Sequence, residues 1–272
     1  MVAGMVEPVA HQSVSAPQSN SPRPNGPGVV LRSLLFNLLY GIWTAGMHIV
    51  SLPLLFASRR AVQTAGGIWI DGTLWLLKHV VGIDYRIVGA ENLPRTPAIY
   101  AAKHQSAWET LFLSRYLDYP AFVLKQELLS IPLFGWFLRR AGMIAIDRKA
   151  GASAIRHMAR QATATLESGR SILIFPEGTR VSPGESRPYQ PGVAALYTQL
   201  KVPLVPVALN SGLFWGRQAY IKKPGTIVVE ILPPIPPGLD RKAMMKELET
   251  RIETAAKRLA SVVDADVQSS GG

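Results

Sequence analysis

Cysteine is missing altogether from the 272-residue chain. Disulfides, thiolate nucleophiles and cysteine-ligated metal sites are excluded with it, and the composition fits a reducing compartment. Acidic residues are in short supply: 18 Asp and Glu stand against 29 Lys and Arg, a formal net charge of +11. Such a surplus favours anionic partners: nucleic acid, anionic lipid or phosphorylated substrates. RNP-like, zinc-finger and helix-turn-helix patterns are absent, there is no long basic run, and 48% of the residues are hydrophobic. Nucleic acid is therefore not expected as a partner. No group of His, Asp and Glu has metal-ligand spacing, so neither a metal nor a cofactor is expected. Internal repeats and a G-x-S-x-G nucleophile motif are also lacking.

Charge is absent from one long stretch. Residues 33–58, SLLFNLLYGIWTAGMHIVSLPLLFAS, contain no Asp, Glu, Lys or Arg. Roughly 20 helical residues cross a bilayer core, so the stretch is long enough. Arg59 and Arg60 follow it, as cytoplasmic flanking charges do. A cleaved signal peptide is not expected, because the run is too long, begins late and lacks a cationic lead-in. Residues 61–83 stay apolar but carry Asp71, Lys78 and His79 beside Trp69 and Trp75, the mixture of a helix lying among headgroups. With Pro53 marking a turn, residues 29–83 read as a membrane-associated helical hairpin. A buried hairpin of a soluble protein is the competing reading. Residues 1–28, rich in Pro, Ser, Gly and Ala, read as a disordered tail, and residues 265–272 as a flexible one.

From residue 84 short apolar runs alternate with helical segments. Strands are expected at 85–90, 98–103, 121–125, 143–148, 171–177, 203–209 and 226–232. Helices are expected at 106–118, 130–140, 153–168, 191–200 and about 240–263. This alternation predicts a single α/β domain over 84–264, a largely parallel mixed sheet flanked by helices. Sites in such sheets lie beyond the carboxyl ends of the strands. The residues there are His104, Lys125, Arg148, and the run Glu177, Gly178, Thr179 and Arg180. A neutral histidine among fixed cations suits reaction on an anionic, phosphorylated molecule.

His104 and Glu109 are five residues apart, which in a regular helix is about 140° of rotation. They meet only if His104 lies in the loop before the helix. Ser106-Ala107-Trp108-Glu109 has the form of a capping box with Ser106 as N-cap, which would place it there. Two roles for Glu109 stay open: capping the helix, or fixing the tautomer of a histidine base. With no serine or cysteine nucleophile motif, such a base would activate a hydroxyl of the substrate. In FPEGTR, Gly178 permits sharp backbone geometry and Arg180 offers a planar fork for phosphate.

The blocks KHQSAWET, GMIAIDRK, FPEGTR and VPLVPVALNSG, in this order, resemble the glycerophospholipid acyltransferase family, specifically its bacterial 1-acylglycerol-3-phosphate acyltransferases. The resemblance covers roughly residues 80–235. It implies transfer of a fatty acyl group from acyl-CoA or acyl carrier protein to the sn-2 hydroxyl of a lysophospholipid acceptor, forming phosphatidate. His104 then matches the catalytic base and Glu109 its partner, where the family usually has aspartate. Arg180 and Lys125, with Arg148, match phosphate-holding positions, and Glu177, Gly178 and Thr179 the same supporting block. The prolines and apolar residues of the fourth block would shape the acyl path. An inner-membrane location follows, with the catalytic domain on the cytoplasmic side. Another lysolipid acceptor, such as an amino-acid lipid, and a non-catalytic lipid-binding protein are the alternatives.

Overall fold

The computed structural model describes residues 26–147 and 150–269, the side chains of 262–269 excepted. Helix α1 (Pro27–Ser51) opens with proline at its first turn, where a missing N–H costs nothing. A 3-10 turn through Pro53 leads to α2 (Arg59–Leu76), whose Ser58 caps the Ala61 N–H. The two helices are tied by their tryptophans: Trp43 Nε1 donates to Trp69 O at 2.9 Å, and Trp69 Nε1 to Thr44 Oγ1 at 3.1 Å.

Seven strands follow: β1 (Ile83–Val88), β2 (Ile99–Ala102), β3 (Ala121–Lys125), β4 (Ile144–Ile146), β5 (Ile172–Ile174), β6 (Leu204–Leu209) and β7 (Gly225–Ile231). They form one sheet in the order β1-β7-β6-β2-β5-β3-β4. All pairs are parallel except β6 with β7, so the expected mixed, largely parallel sheet is what the chain builds. The helices are α3 (Trp108–Tyr116), α4 (Phe134–Ala141), α5 (Gly151–Glu167), α6 (Pro191–Leu200) and α7 (Arg241–Ser269).

The central strands β2, β5 and β6 are buried at every residue, as strands covered on both faces must be. Side-chain alternation along β2 separates two cores. Tyr100 and Ala102 join Trp108 and Phe112 of α3, Phe36 of α1 and Leu77 after α2. Ile99 and Ala101 join Met158 of α5, Val193 and Tyr197 of α6, and Leu248 and Ile252 of α7. The same alternation sends the next two residues in opposite directions. Lys103 points toward α7, and His104 toward the face shared by α3 and the N-terminal helices.

Candidate active site

The loop from β2 into α3 carries His104, and the loop after β5 holds it from both sides. The His104 N–H donates to Glu177 Oε2 at 2.9 Å, and its carbonyl accepts from Val181 N at 2.8 Å. Phe175 stacks on the imidazole, centroids 4.0 Å apart and planes 14° from parallel. Nδ1 lies 2.8 Å from Glu109 Oε1. A carboxylate there accepts, so Nδ1 carries the hydrogen and Nε2 keeps its lone pair. Nε2 has no partner among the described residues.

Glu109 makes the contacts of both readings left open by the sequence. Its Oε1 accepts from the backbone N–H groups of Gln105 and Ser106, each at 2.7 Å, as well as from His104. Closing the loop over the helix start and orienting the imidazole are one hydrogen-bond pattern. The cap itself differs from expectation. The residue before the helix is Ala107, and Ser106 Oγ accepts from Trp108 N at 3.1 Å instead of the amide of Glu109. Half of the capping box is therefore formed.

In FPEGTR the Gly178 N–H donates to Phe175 O at 2.9 Å, and Gly178 has φ +69°, which only glycine adopts without strain. The turn sends its residues apart. Glu177 goes inward and is buried, while Thr179 and Arg180 go to the surface of a cavity of about 850 Å³. His104, Lys125 and Gly178 line that cavity too, so β2, β3 and β5 deliver their residues to one place. The side chains of Arg180 and Lys125 form no hydrogen bond or ion pair with other described residues. Arg148 lies outside the described residues. The rest of the wall is mostly apolar and comes largely from Tyr40, Val62, Trp69, Ile70, Phe137 and Leu138 of α1, α2 and α4.

Four features escaped the sequence reading. Phe175 is the ring that packs on His104. Arg217, after β6, is a further cation on the cavity wall. Lys103, 1% exposed, places its ammonium 2.5 Å from Glu177 Oε1 and 2.8 Å from Glu253 Oε1 of α7. Burial pushes the Glu177 carboxyl above the usual carboxylate range, and Lys103 and the His104 N–H pull it back. Lys103 is legible in hindsight, since strand alternation alone sets it opposite His104. The fourth concerns VPLVPVALNSG, assigned to the acyl path. No residue of that block lines the cavity. Its apolar run is the buried strand β6, and its end, Asn210-Ser211-Gly212, reaches the His104 loop instead: Ser211 Oγ donates to Glu109 Oε2 at 2.7 Å, and Gly212 N to Gln105 Oε1 at 3.1 Å.

Comparison with known proteins bears on the fold and the family. The 1-acyl-sn-glycerophosphate (LPA) acyltransferase PlsC of Thermotoga maritima shares the fold, with TM-score 0.65 over 85% of this chain and 95% of that one at 20% identity. The Acyltransferase family model matches residues 84–210, which hold β1 to β6 and the polar blocks. The 1-acyl-sn-glycerol-3-phosphate acyltransferase of Saccharomyces cerevisiae is 32% identical over 212 residues, 75% of this chain and 68% of its own. That of Pseudomonas aeruginosa is 37% identical over 229 residues, 82% of this chain and 88% of its own, and by that measure the chain belongs to the 1-acyl-sn-glycerol-3-phosphate acyltransferase family.

Proposed function

We propose that the protein transfers a fatty acyl group from an acyl thioester, acyl-CoA or acyl carrier protein, to the sn-2 hydroxyl of 1-acylglycerol-3-phosphate, giving phosphatidate. The observation that carries this reading is one cavity with a carboxylate-held histidine and unpaired cations at its polar end and apolar walls elsewhere. The acceptor has the same division, a phosphate beside a hydroxyl and then a hydrocarbon chain. Arg180 and Lys125 hold the phosphate through charge-assisted hydrogen bonds. His104 Nε2 takes the hydroxyl proton while the oxygen attacks the thioester carbonyl. The tetrahedral adduct collapses, the C–S bond breaks, and the departing sulfur takes the proton from the imidazolium. Glu109, on Nδ1, orients the ring and stabilises that imidazolium.

Acceptor and product both reside in a bilayer, and the N-terminal segment suits one. Pro27–Phe56 is long and apolar enough to cross a membrane, and α1 exposes Leu31, Leu38, Ile42, Ile49 and Val50. We place the protein at the inner membrane with its α/β domain on the cytoplasmic side, a reading supported by Arg59 and Arg60.

The test is free-thiol release from acyl-CoA by the full-length protein in lipid or detergent, with lysophosphatidate, a lysolipid lacking phosphate, or no acceptor. Release that depends on lysophosphatidate, with a 1,2-diacyl phosphate product, is the expected outcome. Equal or faster turnover of the unphosphorylated acceptor would redirect the reading to another lysolipid. No release with acyl-CoA or acyl carrier protein donors would overturn it.

A further inference from the structure

The Glu109 side chain is fully buried, yet both of its oxygens are bonded. Oε1 takes its three donors from residues 104–106, immediately before α3. Oε2 takes a single side-chain donor from 102 residues further along the chain: Ser211 Oγ, at 2.7 Å. Ser211 is fully buried and opens the 3-10 turn that follows β6. Its surroundings fix it firmly. Asn210 Oδ1 accepts from Val228 N at 2.8 Å, and Ser211 O accepts from Phe214 N and Trp215 N. A Cβ on Gly212 would stand 2.8 Å from Pro183 Cγ and 2.9 Å from Gln105 Cβ, so this corner is pressed against the histidine loop.

We propose that Ser211 is a positioning residue for the acyl transfer, clamping the free oxygen of Glu109 so that the other stays on His104. This rests on the reading of His104 as the base. A carboxylate on a flexible side chain turns easily about its last bond. With Oε2 bonded to a hydroxyl fixed by the sheet, the carboxylate plane is set, and Oε1 is held on Nδ1. Remove that hydroxyl, and Oε2 becomes a buried acceptor without a donor. The carboxylate then relieves itself by turning to share its remaining donors, which draws Oε1 off the ring. The displaced carboxylate no longer holds the ring, and kcat falls. Ser211 does not line the cavity, so acceptor binding is untouched.

The other charged groups around the pair are not altered by changing Ser211. Lys103, with Glu177 and Glu253, lies on the α7 side, and Glu177 Oε2 meets the His104 N–H. Arg180 and Lys125 line the cavity in front. A kcat lost at unchanged KM therefore reports on Ser211 itself.

The experiment is kcat and KM for Ser211→Ala, Ser211→Thr and Ser211→Ala with Glu109→Gln, beside His104→Ala. Ser211→Ala should lose about tenfold or more in kcat, as for a charge-assisted hydrogen bond, with KM unchanged. Ser211→Thr keeps the hydroxyl and should restore kcat even if its extra methyl lowers the melting temperature. On top of Glu109→Gln, Ser211→Ala should add little, because it acts through Glu109. An unchanged kcat in Ser211→Ala, or a kcat loss of equal size with and without Glu109→Gln, overturns the role of Ser211 and leaves the function standing. Full activity in His104→Ala overturns the underlying reading instead.

Discussion

Two sets of charged groups meet at the carboxyl edge of the sheet, and the fold treats them in opposite ways. His104, Glu109, Lys103 and Glu177 are buried or nearly so and bonded to one another or to backbone. Arg180 and Lys125 line the same cavity with no partner among the described residues. A buried charge without a partner is costly, so the first set has to be internally satisfied. A cation at a cavity wall faces no such demand and keeps its donors for a ligand. The first set is thus fixed by its own bonds, as the proposed proton transfer requires, and the second is free to hold the phosphate that the proposed function gives it. Substitutions in the rigid set should act on kcat and those in the open set on KM.

The largest effect is expected from the rigid set. His104→Ala should lower kcat by about 10²–10⁴-fold at unchanged KM while the fold survives. Glu109→Gln is the sharper probe, because Glu109 touches both the helix start and His104. A glutamine oxygen still accepts from Gln105 N and Ser106 N, and its amide can donate to Ser211. The helix start should therefore survive with a small change in melting temperature, while kcat falls steeply with the lost charge. A large loss of stability at retained kcat would show that Glu109 serves the helix alone and would erase the contrast between the two sets.

Much of this arrangement is legible in the sequence, and what is not has physical causes. All seven expected strands form, because each is a short apolar run bounded by turns or helix starts. Their order is not legible: β1 ends beside β7, and β4 at the far edge, through pairings that no local pattern encodes. The His104–Glu109 pair was legible because its geometry is set within six residues. For Lys103, strand alternation shows the side it faces but not its partners, which lie 74 and 150 residues away. The fourth block was misread for a related reason. An apolar run shows burial without showing whether a ligand or the core lies on the other side. For β6 it is core, and only Asn210-Ser211-Gly212 approaches the site.

The open set should give the middle effect. Arg180→Ala removes a charged hydrogen bond worth roughly 1.5–3 kcal/mol, about 10- to 150-fold in KM for lysophosphatidate at nearly constant kcat. Arg180→Lys should recover part of this, since an ammonium lacks the planar fork. Initial-rate kinetics with varied acceptor measures both. A fall in kcat at constant KM would move Arg180 into the rigid set, and no change in either constant would remove it from the site.

The smallest effect belongs to a cation that shares features of both sets. Lys222 is 3% exposed, but it has no carboxylate partner among the described residues. Its ammonium donates to Asn37 Oδ1 at 2.6 Å and Tyr220 O at 3.1 Å, between the faces of Phe36 and Trp215. These contacts fasten the loop after β6 to α1. Burial pulls the Lys222 ammonium from 10.5 down to about 8. Between those two values the unfolded chain holds a proton that the folded chain has released. Stability from this group therefore rises with pH across that window, and below about pH 8 the cost of burying the charge is fully present. Lys222→Met lacks the titration. The stability of the wild type relative to this variant should grow by on the order of 1 kcal/mol from pH 8 to 10.5. That is less than burial alone would give, because the amide, carbonyl and ring contacts favour the charged form. Thermal melts of both proteins in detergent across that range supply the measurement. A rising difference makes Lys222 a cation that pays for its place by deprotonating. A flat difference means that neutral acceptors and two ring faces hold a buried ammonium charged, and would extend the rigid set to the junction with α1.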